Sequence, residues 1–222
     1  MKSKNLHIML MVTTLGDGYS APITEICAKT FDPETGELGH DHLTCLMNVK
    51  RQLKEGKPSP GHLENWMLTR KYDLLIFNNP DYFATLSSGV FSLREFIETE
   101  LDLAGLGWEH LLIYNLYPAY QLPRLTVVDQ DILMSERSLW PSYGVRCAKT
   151  IQDLARPMLV EHGVDLPVRP PSRGGISDEC DYQATLTMHS LLMLQRQHPT
   201  QLRSKPVKPV KPQIPPEEDD EL

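Results

Sequence analysis

The sequence predicts an α/β fold: a mixed sheet, formed by an antiparallel meander and then a βαβ unit, with helices flanking it. Three observations carry that prediction. Residues 6–48 hold three β-prone segments separated by turn signals. Beyond residue 60 the apolar residues recur at helical spacing. The continuous apolar run from His110 to Asn115 then follows a helical stretch, as a strand buried on both faces of a parallel pair does.

Residues 6 to 13 are apolar and β-prone, and Gly16, Asp17 and Gly18 supply the turn that ends the run. A second strand is expected over 22–31, closed by Asp32-Pro33-Glu34-Thr35-Gly36, whose residue types suit a hairpin turn. The third strand is placed at 40–48. Ser59-Pro60 is a helix start signal, so a short helix is expected over 60–72 with Leu63, Trp66, Met67 and Leu68. A longer helix is expected over 92–105, with Ser92 as cap, Glu95 at the capping-box position and Leu93, Phe96, Ile97 and Leu101 as its apolar stripe. After the 110–115 strand, a strand or turn surrounds 143–147, a helix covers 148–161, and a long helix covers 178–196. Its inner face is expected to carry Ala184, Leu186, Met188, Leu191, Leu192 and Leu194.

At 222 residues and 41% hydrophobic content the chain can bury one substantial core. The domain is placed at residues 1–198. Residues 199–222 change character, with the Lys-Pro-Val repeat over 205–212 and the acidic end Glu217 to Glu221. Such a segment has too little apolar bulk to offset the cost of ordering it, so a disordered tail favouring polyproline II is expected, either solvated or a docking peptide. No apolar run approaches the roughly 20 residues that span a bilayer, and no cleavable leader is evident, so no membrane association is expected and cytoplasmic residence is the simplest reading. The four cysteines are widely spaced without a CxxC pair, which points to reduced thiols rather than a zinc knuckle or disulfide scaffold. A net charge of −7 argues against a large nonspecific nucleic-acid surface, since phosphate binding is driven by Lys and Arg. A local basic groove stays open: Arg124, Arg137, Arg146, Lys149, Arg156, Arg169 and Arg173 fall in the C-terminal half.

Several phrases resemble one family. Ile8 to Gly16, Ala21 to Ala28, Phe31 to Gly39 and Tyr182 to Ala184 are similar to the phage-type 3′-to-5′ exonucleases of the DEDDh superfamily related to ribonuclease T and exodeoxyribonuclease VIII. The resemblance covers residues 6 to 195 and implies a ribonuclease H-like sheet. Two-metal phosphodiester cleavage needs several carboxylates at one point, because two divalent cations about 4 Å apart must be held. The resemblance implies an Asp and a Glu on the first strand, an Asp after the central strand, and a final Asp preceded by a His as general base. This chain carries Met11 and Thr13, Gln121, Glu179 and Gly174 at those positions, and Cys147 where the family's Val-Arg-Asp phrase has its Asp.

One acid is kept and the base is replaced, so the resemblance implies a degenerate site. No catalytic residue and no cofactor are expected; Mg²⁺ or Mn²⁺, with Glu179 as ligand, belongs only to the alternative of an active exonuclease with an altered site. The leading expectation is a pseudo-exonuclease, of phage or prophage origin, that binds a protein partner or a nucleic-acid end. Tyr117, Tyr120, Arg124, Arg146, Lys149 and Arg173 are its candidate contact residues, the tyrosines because aromatic rings stack on bases. Oligomeric state is left open. A relocated acid site from Asp17, Glu25, Asp178 and Asp181 is disfavoured, because Asp17 lies in a turn and Glu25 is expected to face away. His40-Asp41-His42 has same-face strand spacing but no third ligand nearby, and an exposed strand end is preferred. Trp66, Trp108 and Trp140 are explained as well by packing as by base stacking.

Overall fold

Strand β1 (Leu6–Thr14) organises the molecule because both of its faces are buried. The computed structural model describes residues 4–16, 20–54, 58–69, 83–171 and 175–197, without the side chains of residues 65–69 and 132. Strand β1 pairs antiparallel with β2 (Ile23–Asp32), which pairs antiparallel with β3 (Glu37–Leu46). The other edge of β1 is parallel to a later strand, giving the order β3-β2-β1-β4-β5 once β4 (Leu111–Asn115) and β5 (Val145–Cys147) are added. The antiparallel meander and the βαβ unit expected from the sequence are both present.

The helices follow as α1 (Val49–Gln52), α2 (Pro60–Thr69), α3 (Leu86–Ala104), α4 (Pro118–Val127), α5 (Ala148–Glu161) and α6 (Ile176–Gln197). Alternate side chains of β1 feed two separate cores, as the two-residue strand period requires. Leu6, Ile8, Leu10 and Val12 pack with Val90, Leu93, Ile97 and Leu101 of α3 and with Leu122 and Leu125 of α4. Met9 and Met11 point the other way, into a cluster with Cys27, Tyr114, Ala148 and the α6 residues Ile176, Cys180, Ala184 and Met188. Each fully enclosed aliphatic side chain contributes about 1.5–3 kcal/mol, so both layers are needed to hold β1 in place.

Several boundaries differ from the sequence reading, for physical reasons. Helix α3 begins at Leu86 rather than at 92: Thr85 caps it, its hydroxyl accepting from Ser88 N at 3.1 Å, and Gly89 and Val90 are buried in its first turns. A Cβ at Gly89 would lie 2.5 Å from Met47 Cε, so this glycine marks close packing rather than a helix break. At the other end Gly105 (φ 66°) sits in the left-handed region, and Leu106 N bonds to Leu101 O at 3.0 Å. Strand β3 starts at Glu37 rather than at 40, because the turn over Asp32 to Gly36 (φ 80°) returns the chain directly to the ladder. Helix α4 is absent from the sequence reading. Pro118 occupies its first position, where proline is tolerated; Pro123 within it disfavours helix, yet Leu122 and Leu125 bury in the core and hold the helix together.

Helix α4 continues into a π-helical turn over Val128–Ile132 that places Asp129 fully inside the protein. There Arg94 donates to both of its carboxylate oxygens, at 2.9 and 2.6 Å, and Ser135 Oγ to Oδ1 at 3.1 Å. Trp108 stacks beneath Arg137, 4.2 Å from ring centroid to guanidinium carbon, and Trp140 is buried in the core, so both indoles serve packing. Asp17 and Gly18, Trp66's side chain, residues 70–72 of the expected second helix, and the 199–222 segment lie outside the described residues. No described helix is long and apolar enough to cross a membrane.

Candidate functional site

The C-terminal end of β1 carries the two positions where the resemblance implies acids. Met11 is buried in the α6-facing cluster, which also holds Ile176 and Cys180 of the first turns of α6 and Ala148 at the start of α5. Thr13 is directly opposite Glu25 on β2, and its hydroxyl donates to Glu25 Oε2 at 3.1 Å. The Thr13 and Thr24 hydroxyls lie 2.6 Å apart where the register shifts between Thr13 and Thr14. Directly opposed residues of an antiparallel pair share a face, so Glu25 points toward the α6 side and not away from it. That corrects the sequence expectation, which assigned Glu25 to the far face.

Gln121, on the first turns of α4, reaches the same end of the sheet. Its Oε1 accepts from Asn115 Nδ2 at 2.9 Å, while the same amide donates to Leu10 O at 2.8 Å. Asn115 Oδ1 accepts from Tyr117 N at 2.8 Å, so the fully buried Asn115 fastens the β4–α4 turn to β1. Sequence reasoning did not single out Asn115. Its signal was a polar residue closing an apolar strand, which in a buried position must find partners.

Glu179 lies beside the Met11 cluster, in the first turn of α6, but its carboxylate is engaged. Arg169 Nη2 donates to Oε1 at 3.1 Å and Gln183 Nε2 donates to the same oxygen at 2.8 Å. The hydrogen bond and charge of Glu179 raise the Arg169 guanidinium, with weaker contributions from the phenols of Tyr182 and Tyr117. A polar chain runs on from Gln183, whose Oε1 accepts from Gln152 Nε2 at 2.9 Å, and Gln152 also donates to Thr187 Oγ1 at 3.0 Å. Behind Met11, Cys180 Sγ faces Met9 O at 3.7 Å, and its hydrogen bond to Cys27 together with burial pushes its thiol well above the ordinary value.

The fold thus brings Met11, Thr13, Gln121 and Glu179 to one end of the sheet; Gly174 and Arg173 lie outside the described residues. Two carboxylates are present, Glu25 and Glu179, and among the described residues no three His, Cys, Asp or Glu side chains converge as a metal site requires. This donor set does not fit a pair of divalent cations, which need several converging charged oxygens. Of the other acids weighed, Asp181 faces Lys29 Nζ at 3.9 Å and Asp178 is exposed. His40 and Asp41 are exposed on the outer strand β3, as the sequence reading preferred.

The candidate contact residues separate into two groups. Tyr117 and Tyr120 are exposed at 49% and 61%, which leaves both rings presented to solvent at the start of α4. The cations are less available. Arg124 Nη1 donates to the Ala21 carbonyl across the β1–β2 connection, Lys149 pairs with Asp153 at 3.0 Å, and Arg146 on the edge strand donates to the carbonyls of Tyr143 and Val145. An apolar cavity of about 650 Å³ opens beside them, lined by Pro118, Leu122, Pro123, Val127, Trp140 and Val145 among others.

A five-stranded sheet with parallel and antiparallel pairs, held between helical layers, is an exonuclease-like fold of the ribonuclease H type. Among solved structures, the chain is similar to cell-death related nuclease 4, with a TM-score of 0.51 and 10% identity over 84% of this chain and 64% of that chain. It therefore spans 64% of that nuclease's length. A structure of a 3′-exonuclease in 3′-end specific recognition of the histone mRNA stem-loop aligns with a TM-score of 0.47, at 11% identity over 87% of this chain and 83% of that chain. No family model and no curated protein matches the sequence.

Proposed function

We propose that this chain is an exonuclease-like binding module that does not hydrolyse phosphodiester bonds, phage or prophage encoded, whose ligand is a protein partner. The observation that carries this reading is Met11. An apolar side chain, buried in one cluster with Ile176 and Cys180, fills the place where the resemblance implies the first metal-ligating acid. Glu179, the one acid kept, is held by Arg169 and Gln183 and cannot recruit a cation without giving up that pairing. Replacing the acids also removes the mutual repulsion that carboxylates without metal would suffer.

A protein partner fits better than a nucleic-acid strand. Lys149 and Arg169 are paired with carboxylates, which lowers the positive field available to phosphates. The exposed Tyr117 and Tyr120, the apolar cavity beside α4 and the short edge strand β5 instead have the aromatic and apolar character of a protein-binding patch. The reading is tested by calorimetric titration with Mg²⁺ and Mn²⁺, a nuclease assay on labelled single strands, and a gel shift across salt. No metal heat, no trimming and no salt-sensitive shift are expected. Metal-dependent 3′ trimming abolished by Glu179→Ala would sink it, and a shift that weakens steeply with salt would move the ligand to nucleic acid. The buried Glu25 beside Thr13 favours one second reading, an active exonuclease with an altered site; the same trimming assay, repeated on Glu25→Gln, decides it.

A further inference from the structure

The opposite end of β1 carries a groove that the exonuclease reading does not use. It encloses about 510 Å³ between the starts of β1 and β3, the end of β2 and the last turns of α3. Its apolar walls include Leu6, Phe31, Leu38 and Leu103, the last 70% exposed. Asp32, Glu37 and Glu100 also line it, and no Lys or Arg is among its lining residues. Burial and the nearby charge of Asp41 raise the Glu100 carboxyl above its ordinary range, so a cation placed there would relieve an existing cost.

We propose that this groove is the docking site of the chain's own Lys205–Lys211 segment. Two features of the chain name that occupant. The first is spacing: Lys205, Lys208 and Lys211 recur every third residue, with Pro and Val between them. Polyproline II has three residues per turn, so in that conformation lysines at this spacing would share one edge, about 9 Å apart, with prolines and valines on the others. A lining that combines apolar residues with three carboxylates is the complement of that ribbon. The second is position. Met188 and Leu191 of α6 belong to the same apolar layer as Phe31 and Leu38, two residues that also line the groove. Gln197 follows Leu191 by less than two helical turns, about 9 Å. The eight residues from there to Lys205 reach about 25 Å when extended, enough to turn under the sheet to the groove.

Docking of this kind is intramolecular, so its strength is set by a high effective concentration and by charge, and it weakens as salt screens the acids. The test is zero-length carbodiimide coupling of the full-length chain at low protein concentration, read by peptide mass spectrometry of the monomer band. Amide links from Lys205, Lys208 or Lys211 to Asp32, Glu37 or Glu100 are expected, falling about fivefold or more when the reaction moves from low to high salt. A second measurement leaves the folded domain untouched: in K205E/K208E/K211E, the backbone amide resonances of Thr35, Glu37 and Leu103 shift relative to the parent chain. Links confined to the tail's own Glu217 to Glu221, links spread equally over distant acids such as Asp153 and Glu161, or links found only in covalent dimers would each overturn the proposal, the last by assigning the groove to a second copy's tail. Unchanged resonances in the triple variant would overturn it as well.

Discussion

The two ends of β1 carry opposite chemistry. At its C-terminal end, Met11 is sealed under α6, Thr13 bonds Glu25, and Glu179 is tied to Arg169, so each polar group is matched within the protein. At its N-terminal end, a cavity stays open with Asp32, Glu37 and Glu100 around it. The difference teaches that one strand can end in two kinds of chemistry, a packed and internally paired end and an open acidic one, within a single sheet. Backbone pairing and two apolar layers hold the frame, and neither depends on the charges at the strand ends.

Restoring a charge at the sealed end breaks this contrast most strongly. Met11→Asp places a carboxylate in an apolar cluster without a cationic partner and is expected to cost about 3–5 kcal/mol, read by urea unfolding in the presence of a chelator. An unchanged midpoint would show that position 11 meets water. Next comes the open end. His7, which shares a 3.0 Å hydrogen bond with the Tyr114 hydroxyl, is lowered from 6.5 to about 4, chiefly by burial, with Asp32 acting to raise it and Arg146 to lower it. The unfolded chain therefore takes up this proton before the folded chain does. Stability is fully present above pH 6.5 and falls as pH drops toward 4, by on the order of 2–3 kcal/mol from this group. Glu100 acts in the opposite direction, since its raised carboxyl favours the folded state as acid is added. Comparing the parent with His7→Phe isolates the histidine: the variant's stability should depend less on pH across that window, and an equal slope would remove His7 as the cause. The smallest effect is expected from Arg169→Ala. Its pair with Glu179 is solvent-screened, Arg169 being 69% exposed, so stability should change by about 0.5 kcal/mol or less. Mn²⁺ should still not bind, and calorimetric heats in this variant would show that Arg169 alone had masked a metal site.

Much of this architecture was legible in the sequence. The three meander strands, the buried β4, helix α5 and the long α6 all follow from apolar period and turn residues, because those signals report which face of each element meets the core. Helix α4 was not legible, since Pro123 within it carries a local signal against helix that the burial of Leu122 and Leu125 overrides, although Pro118 stands at the first helical position where proline is favoured. The start of α3 was misplaced because Ser92 with Glu95 offers a capping pattern inside the helix, whereas the cap is Thr85 and Gly89 packs against Met47 within the first turns. At the site, the resemblance singled out Met11, Thr13 and Gln121, and the structure brings these three to one end of the sheet. The side of the sheet that Glu25 faces could not be read from the sequence, because strand register is a property of the pair and a shift of one residue reverses the face. The Arg169–Glu179 contact joins residues ten apart across a loop, a separation for which no periodic rule exists.

Cys27 and Cys180 lie fully buried between β2 and α6, whereas Cys45 and Cys147 are only partly covered. That arrangement makes the chain its own clock for layer separation. A thiol reagent should modify the two outer cysteines at the rate of simple access, and the inner two only when the last helix lifts from the sheet. Their labelling rate then measures how often the apolar seal over Met11 opens.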